Sequence, residues 1–186
     1  MQPCLLLVLA LLSAASASPP APASPEAAAA ALALPEDDGD DGDDGDDARC
    51  PLASETQALS VPDPLAATTY RYIIVTRCRT FRGAQRVCRR CYRGQLASIH
   101  SLRANALLRR RARLCTNRGQ VWIGAVTRPA GRTVRCRWAD GSRWNYSCWS
   151  RGYPLCSGRF CTALCTNNGR WRSVRCRVKL PFICQY

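Results

Sequence analysis

Charge is strongly segregated along this chain, and this limits where a folded domain can lie. Residues 1–69 hold 12 acidic residues and one basic residue, a net charge of −11. Residues 70–186 hold 26 basic residues and one acidic residue, a net charge of +25. Such asymmetry between halves indicates segments with different physical roles. The basic segment, of 117 residues, is long enough for one domain with its own core.

The acidic charge is concentrated in the stretch EDDGDDGDDGDD, which begins at Glu36 and ends at Asp47. Like charges at this density repel one another, and few large apolar residues are present to form a core. We therefore expect residues 18–68 to be a disordered acidic propiece, with order beginning at Tyr70. The block is expected to be an intramolecular partner of the basic segment. A calcium-binding polyaspartate and a solubility segment are the alternatives.

The first residues, MQPCLLLVLALLSAASAS, form an apolar stretch followed by small residues. This pattern is typical of a secretory signal peptide, which we place at residues 1–17. The apolar stretch is too short to span a bilayer, and no later stretch is long enough. The sequence therefore predicts a secreted protein.

Two stretches of the basic segment have the apolar periodicity of helices. Residues 80–91 place Phe81, Ala84 and Cys88 on one helical face, with the arginines mostly on the other. Residues 101–114 predict a second amphipathic helix, for which Ser101 is a suitable N-cap. Arginines fall in its last turns, where the helix dipole favours cations.

Short strands are predicted on both sides of these helices. Residues 70–75, YRYIIV, are rich in aromatic and β-branched residues. After the second helix come VWIGAV, VRCRWADG, FCTALC, WRSVRC and LPFICQY, separated by turn residues. Residues 140–159 have few strand signals and many Gly, Ser, Pro and Trp residues, which predicts a long surface loop. A strand, two helices and many short strands predict an α+β domain.

Several of these segments, in this order, resemble the C-type lectin-like domain family. The matching segments are AQRVC before GQLASI, then WIGA, RWADGSRW, CTAL and PFIC. The resemblance implies a C-type lectin-like domain over residues 69–186, with two helices, short antiparallel strands and a long loop. Within the family, CRRCYRGQLASIH, GQVWIG and DGSRWN most resemble the eosinophil granule major basic proteins and their proteoglycan-type homologues. That resemblance implies storage in secretory granules and removal of the acidic propiece near Thr69.

The resemblance also implies two core disulfides, Cys88–Cys184 and Cys161–Cys176. The cysteine density of a secreted chain predicts further disulfides. Eleven of the 13 cysteines lie in the basic segment, so at least one thiol is free, pairs with Cys50, or links a partner protein. The sequence leaves open the pairing of Cys50, Cys78, Cys91, Cys115, Cys136, Cys148, Cys156 and Cys165.

The basic segment lacks the carboxylates that calcium sites and acid–base catalysis require. Its one acidic residue is Asp140, and the family's calcium motif before the penultimate cysteine here reads WRS. We expect neither calcium-dependent sugar binding nor an enzyme, and no cofactor or metal. His100, the sole histidine, is expected to pack in a turn beside the second helix. Cys88 and Cys91 have CxxC spacing, but no second pair accompanies them and a secreted context favours disulfides.

Arginine supplies 25 of the 26 positive charges of the basic segment. The guanidinium is always charged, and its fork of donors matches sulfate, phosphate and carboxylate groups. Such a field attracts polyanions, and the binding weakens as salt is added. The expected partners are heparan sulfate or other sulfated glycans, and anionic membrane surfaces. Three clusters are candidate polyanion-binding residues: Arg86, Arg89, Arg90 and Arg93; Arg109, Arg110, Arg111 and Arg113; and Arg170, Arg172, Arg175 and Arg177.

The tryptophans divide between core and loop positions. Trp122 and Trp138 are expected to pack in the core. For Trp144 and Trp149 the sequence leaves core and surface open, and exposed indoles would insert at a lipid interface. The same loop contains the sequon NYS, which makes Asn145 a candidate N-glycosylation site.

These features favour a non-enzymatic, cationic defence protein of secretory granules. It would bind sulfated glycans and anionic membranes, act as a cytotoxic or antimicrobial protein, and be masked by its acidic propiece. The alternative is a secreted, basic lectin-like matrix protein associated with mineral or eggshell.

Overall fold

The computed structural model describes residues 49–62 and 69–186, so the predicted signal peptide and the acidic block lie outside the described residues. Within the described residues the chain has an α+β architecture, as the sequence predicts, with two helices and eight strands. The elements are a 3₁₀ turn Ala53–Glu55, β1 Thr56–Pro62, β2 Thr69–Arg79, α1 Phe81–Tyr92, β3 Gln95–Leu96, α2 Leu102–Cys115, β4 Gln120–Ala130, β5 Thr133–Trp138, β6 Phe160–Cys165, β7 Trp171–Val174 and β8 Leu180–Gln185.

The strands form one sheet in the order β1-β2-β8-β4-β6-β7, with β3 beside β8 and β5 beside β4. The pairs are antiparallel, except that Trp122 of β4 and Phe182 of β8 form a parallel pair. Strand β2 pairs with β8 through partners such as Ile74 and Ile183. The beginning and the end of the basic segment therefore meet in the centre of the sheet.

Strand β1 corrects an expectation from the sequence, which predicts disorder before Tyr70. It pairs with β2 over its whole length, and within it Val61 is buried and Leu59 packs against the core. The residues TQALSVP have little strand alternation, so the local pattern does not predict a strand. The strand forms because the edge of β2 offers unpaired backbone groups that β1 satisfies. Pro62 ends this edge strand, a position where proline is tolerated.

Helix α1 is amphipathic, and its buried face follows the predicted periodicity. The hydroxyl of Thr80, the N-cap, accepts a 3.1 Å hydrogen bond from the amide of Gly83. Phe81, Ala84 and Cys88 are buried against β2, β4 and β8, and Phe81 meets a core indole edge-on at 5.6 Å. The helix is held by this apolar face because its other face is charged.

Helix α2 covers a second apolar cluster. The hydroxyl of Ser101, the predicted N-cap, accepts a 3.1 Å hydrogen bond from the amide of Ala104. Leu108 and Ala112 are fully buried in this cluster, together with Trp138. Neither helix of the described residues has the length and hydrophobicity needed to cross a bilayer.

Three disulfides cross-link the described residues. Cys88–Cys184 joins α1 to β8, and Cys161–Cys176 joins β6 to the turn after β7; these are the two pairs that the family resemblance implies. Cys50–Cys91 joins the residues before β1 to the last turn of α1. The two cysteines of the CxxC motif therefore belong to different disulfides. The remaining described cysteines are thiols: Cys78, Cys115, Cys136, Cys148, Cys156 and Cys165.

Candidate polyanion-binding surface

The arginines of α1 form an exposed surface opposite the buried face of the helix. Two of them, Arg89 and Arg90, lie in the last turn, where unpaired backbone carbonyls favour positive charge. Arg93 ends the helix in a left-handed conformation with φ 53°. Cys91 lies half-buried among these residues and carries the disulfide to Cys50. We call this surface the α1 arginine face, and it consists of Arg82, Arg86, Arg89, Arg90 and Arg93, all exposed.

The second predicted cluster lies on α2 and is only partly exposed. Arg110 and Arg113 are exposed, whereas Arg109 and Arg111 are half-buried. The guanidinium of Arg109 donates a 3.2 Å hydrogen bond to the carbonyl oxygen of Asn167, in the turn between β6 and β7. This contact brings the arginines of α2 beside the residues that precede β7.

Asn105 is the buried residue that fixes α2 against this turn. Its side-chain nitrogen donates a 3.0 Å hydrogen bond to the carbonyl of Gly169, and its oxygen accepts a 2.8 Å hydrogen bond from the indole of Trp171. A side chain at Gly169, where φ is +75°, would lie 3.0 Å from Cδ of Arg109. The backbone of Gly169 is thus in close contact with the side chain of Arg109. Arg170 is the residue that follows Gly169 in the chain.

The third cluster runs along β7 and continues past its end. Arg172 is exposed because it alternates with the buried Trp171 and Ser173. Beyond the strand, Arg175 and Arg177 flank Cys176, whose carbonyl accepts a 2.9 Å hydrogen bond from the amide that begins α1. One end of the cluster therefore adjoins α2, and the other adjoins the start of α1. The structure therefore joins the second and third predicted clusters, whereas the first lies further along α1, in its middle and last turn.

A fourth group of arginines lies on the hairpin of β4 and β5 and was missed by the sequence analysis. Arg128 and Arg135 stand directly opposite each other, and Arg137, two residues further on, shares their face. Burial, with the charges of Arg128 and Arg135, lowers the pKa of Arg137 from its usual value. The sequence signal is TRPAGRTVRCR, four arginines within ten residues on both sides of a turn at Gly131. We call these the hairpin arginines: Arg128, Arg132, Arg135 and Arg137.

The one carboxylate of the basic segment is occupied inside the fold. One oxygen of Asp140 accepts a 2.6 Å hydrogen bond from the hydroxyl of Ser98. The other accepts hydrogen bonds from the amide and the hydroxyl of Ser142, at 2.9 Å and 2.6 Å. Asp140 thus fixes the start of the long loop. In the described part of the chain, no three His, Cys, Asp or Glu side chains are grouped to hold a metal ion.

His100 connects the same loop to the core. It is half-buried, and its ring meets the ring of Trp138 edge-on at 5.8 Å. Its Nδ1 lies 2.8 Å from Oδ1 of Asn145, and its Nε2 lies 3.2 Å from the hydroxyl of Ser142. Asn145, the candidate glycosylation site, is exposed. The histidine therefore has the position of a packed turn residue that supports the loop.

The tryptophans of the loop pack on a buried indole. Trp171 is fully buried, and Trp144 and Trp149 are half-buried against it at 5.9 Å and 5.7 Å between ring centroids. The two outer rings stack on each other at 6.4 Å, and Trp144 also contacts Trp138 at 4.9 Å. The core positions predicted for Trp122 and Trp138 are confirmed, with exposures of 0% and 1%. The two loop indoles are intermediate, with one side on the core.

Fold and sequence together define the class of protein. The chain belongs to the lectin C-type domain family, whose model matches residues 77–186. Human lithostathine superposes with a TM-score of 0.57 at 26% identity, covering 65% of this chain and 94% of that one. The carbohydrate-recognition domain of mouse scavenger receptor C-type lectin gives a TM-score of 0.53 at 24% identity, covering 63% and 87%. This second likeness concerns the fold alone.

The chain is also similar to a group of basic proteins within this family. It is 45% identical over 138 residues to bone marrow proteoglycan of Mus musculus, covering 74% of this chain and 60% of that protein. It is 44% identical over 125 residues to eosinophil granule major basic protein 1 of Cavia porcellus, covering 63% and 51%. The matched region thus spans less than two thirds of either relative. The predicted resemblance to this group is confirmed.

Proposed function

We propose that this chain is a non-enzymatic, cationic protein of secretory granules that binds sulfated glycans and anionic membranes and is cytotoxic or antimicrobial. The observation that carries the proposal is the juxtaposition of the arginine clusters of α2 and β7, which the contact of Arg109 with the turn before β7 brings together. They belong to a segment with a net charge of +25. The names of the relatives, an eosinophil granule protein and a bone marrow proteoglycan, support storage in granules and secretion.

The charge of the domain favours a polyanion over a small ligand. Its single carboxylate, Asp140, is hydrogen-bonded to Ser98 and Ser142 and does not neutralise the surface arginines. Guanidinium groups that are spread along helices and strands match the repeated sulfates of a glycan better than they match a small ligand with a single anionic group. Binding of this kind is largely electrostatic, so we expect it to weaken steeply with salt.

Anionic membranes are the second expected partner. Trp144 and Trp149 place half-buried indoles in the long loop, next to the exposed Arg143 and Arg151. Indoles favour the interface between headgroups and acyl chains, and arginine pairs with anionic headgroups. A glycan on Asn145 would cover part of this loop and reduce its access to a membrane.

The acidic block that begins at Glu36 and ends at Asp47 is proposed to mask the arginines in the precursor. A tethered partner acts at a high effective concentration, so even weak contacts are populated. The net charge of −11 in residues 1–69 is smaller than the +25 of the domain, so we expect attenuation rather than full neutralisation. A disulfide-linked partner protein, attached through one of the unpaired cysteines, is also proposed.

Heparin affinity and vesicle leakage test the proposal together. The samples are the full chain and a variant in which every acidic residue of 36–47 is replaced by serine. We expect both to bind immobilised heparin, and the variant to elute at higher salt. We also expect the variant to release dye from anionic vesicles more strongly than the full chain, with zwitterionic vesicles as the control. Heparin binding without leakage from either protein would favour the matrix alternative.

A further inference from the structure

The residues just before β2 are attached to the domain in two independent ways. Strand β1 is hydrogen-bonded along β2, with Pro62 opposite Thr69 where the two strands join. Ahead of β1, Cys50 is bonded to Cys91 in the last turn of α1. Neither attachment passes through residues 63–68, which connect the two strands. A cut in this connection, close to the start near Thr69 that the resemblance implies, therefore leaves both attachments in place.

The β1 attachment has contacts of a folded core as well as backbone pairing. Val61 is 3% exposed, and Leu59 packs against the same cluster. The hydroxyl of Thr76, in β2, donates a 3.1 Å hydrogen bond to the carbonyl of Glu55, which precedes β1. The charge of Glu55 also contributes, after burial, to raising the pKa of Tyr92 at the end of α1. Residues 50–62 therefore lie along the domain up to the end of α1.

The disulfide also determines which arginines the acidic block reaches first. The Cα atoms of Cys50 and Cys91 are 5.7 Å apart. Asp47, the last residue of the acidic block, is three residues before Cys50, and three residues span at most about 11 Å. Arg89, Arg90 and Arg93 are within two residues of Cys91. The covalent chain thus delivers the end of the acidic block to the α1 arginine face, which has the complementary charge.

We propose that the Cys50–Cys91 disulfide is a latch that keeps the acidic propiece on the α1 arginine face after the chain is cut between β1 and β2, when the pairing of β1 by itself no longer holds it. Release then requires reduction of this disulfide as a second step. The latch describes how the propiece is attached to the domain. The further statement, that release of the propiece exposes polyanion-binding arginines, rests on the proposed function.

The release step is a thiol–disulfide exchange with a dithiol reductant. One reductant thiolate attacks a sulfur of the Cys50–Cys91 bond, and the other cysteine leaves as a thiolate and takes up a proton. The second reductant thiol then displaces the mixed disulfide, so the reductant is oxidised and both cysteines become thiols. Cys50 is exposed, whereas Cys88, Cys184 and Cys161 are at most 1% exposed. We therefore expect a mild dithiol to reduce the latch first.

The experiment uses the full chain with residues 63–68 replaced by the recognition sequence of a site-specific protease. After cleavage, native size exclusion and mass spectrometry measure whether the N-terminal fragment stays with the domain. We expect full retention without reductant, and release after brief treatment with dithiothreitol that adds only Cys50 and Cys91 to the cysteines that alkylate in the untreated protein. Fragment release without reductant would overturn the latch, as would retention after the disulfide is reduced.

Variants remove the dependence on a reducing agent. Cys50→Ser should release the fragment on cleavage alone, and its folding is checked by near-UV circular dichroism. Cys156→Ser, which removes an exposed thiol elsewhere, should still need dithiothreitol. If Cys50→Ser retains the fragment as well as the parent does, β1 alone holds it and the latch is refuted.

Heparin elution separates the latch from the function on which it rests. If the fragment is released only when the disulfide is removed, and the domain then elutes from heparin at higher salt, both the latch and the masking are supported. If the fragment is released only when the disulfide is removed, but the domain elutes at the same salt concentration as before, the latch is supported and masking of the arginines is refuted.

Discussion

The indole nitrogen of Trp171 donates a 2.8 Å hydrogen bond to the side-chain oxygen of Asn105, and both residues are buried. This pair joins α2 to the first residue of β7. Arg109 is four residues along the helix from Asn105, and Arg170 is adjacent to Trp171 in the chain. The relative position of the two arginine clusters therefore depends on a polar pair in the core.

Replacing Asn105 with leucine should destabilise the domain by about 1–3 kcal/mol, because the indole of Trp171 and the carbonyl of Gly169 lose their partner. Urea unfolding followed by tryptophan fluorescence measures the change. Asn117→Ala, at an exposed turn position, is the control and should change stability by less than about 0.5 kcal/mol. Equal losses in the two variants would contradict the role given to Asn105.

Two glycines should differ sharply in their tolerance of alanine. A Cβ at Gly94 would overlap the backbone of Gln185 in β8, whereas a Cβ at Gly119 meets nothing within 4 Å. We expect Gly94→Ala to cost about 1–3 kcal/mol or more, since the clash is with backbone rather than a flexible side chain. Gly119→Ala should be neutral or slightly stabilising. The melting temperatures of the two variants are compared. Similar values would show that the backbone of β8 moves to make room for the added Cβ.

Removal of two arginines at the junction of α2 and β7 should weaken heparin binding more than removal of two loop arginines. The double variant of Arg170→Gln and Arg172→Gln is compared with Arg151→Gln and Arg159→Gln, all four being exposed in the parent. The net charge changes equally, so long-range attraction is matched. If both arginines contact sulfates, the salt dependence of binding should decrease by about one unit per lost contact. Equal effects of the two pairs would indicate that only total charge matters.

The thiols should differ in alkylation according to burial. Burial raises the pKa of Cys136, and it raises that of Cys165 against opposing effects of Arg172 and a hydrogen bond from Gln120. At neutral pH both should remain protonated and react slowly with iodoacetamide, while the exposed Cys156 reacts first. Mass spectrometry of samples labelled at several pH values measures the order. A denatured sample, in which all thiols are exposed, is the control.

The raised pKa values of Cys136 and Cys165 also give the sign of a pH effect on the stability of the domain. A thiol whose pKa is higher in the folded state keeps its proton more tightly when folded. Its contribution to stability is present below the unfolded pKa and is lost as the pH rises through the folded pKa. Unfolding free energy should therefore decrease in the alkaline range, and less steeply in Cys136→Ala than in the parent.

The sequence predicted the helices well because their signals are local. The apolar periodicity of α1 and the serine that caps α2 act within a few residues, so they can be read along the chain. The short strands were also predicted, since β-branched residues and turns mark their ends. Strand β1 was missed because its own residues carry a weak signal and its partner, β2, supplies the pairing.

The sequence by itself determined the segregation of charge, the identity of the arginines and the lack of a carboxylate cluster in the basic segment. These are properties of composition and order, which folding does not change. Only the tertiary structure decided that the arginine clusters of α2 and β7 adjoin each other, that Arg128 faces Arg135, and that Cys50 bonds Cys91. Each of these depends on which distant segments meet, and that is set by packing and strand register rather than by spacing along the chain.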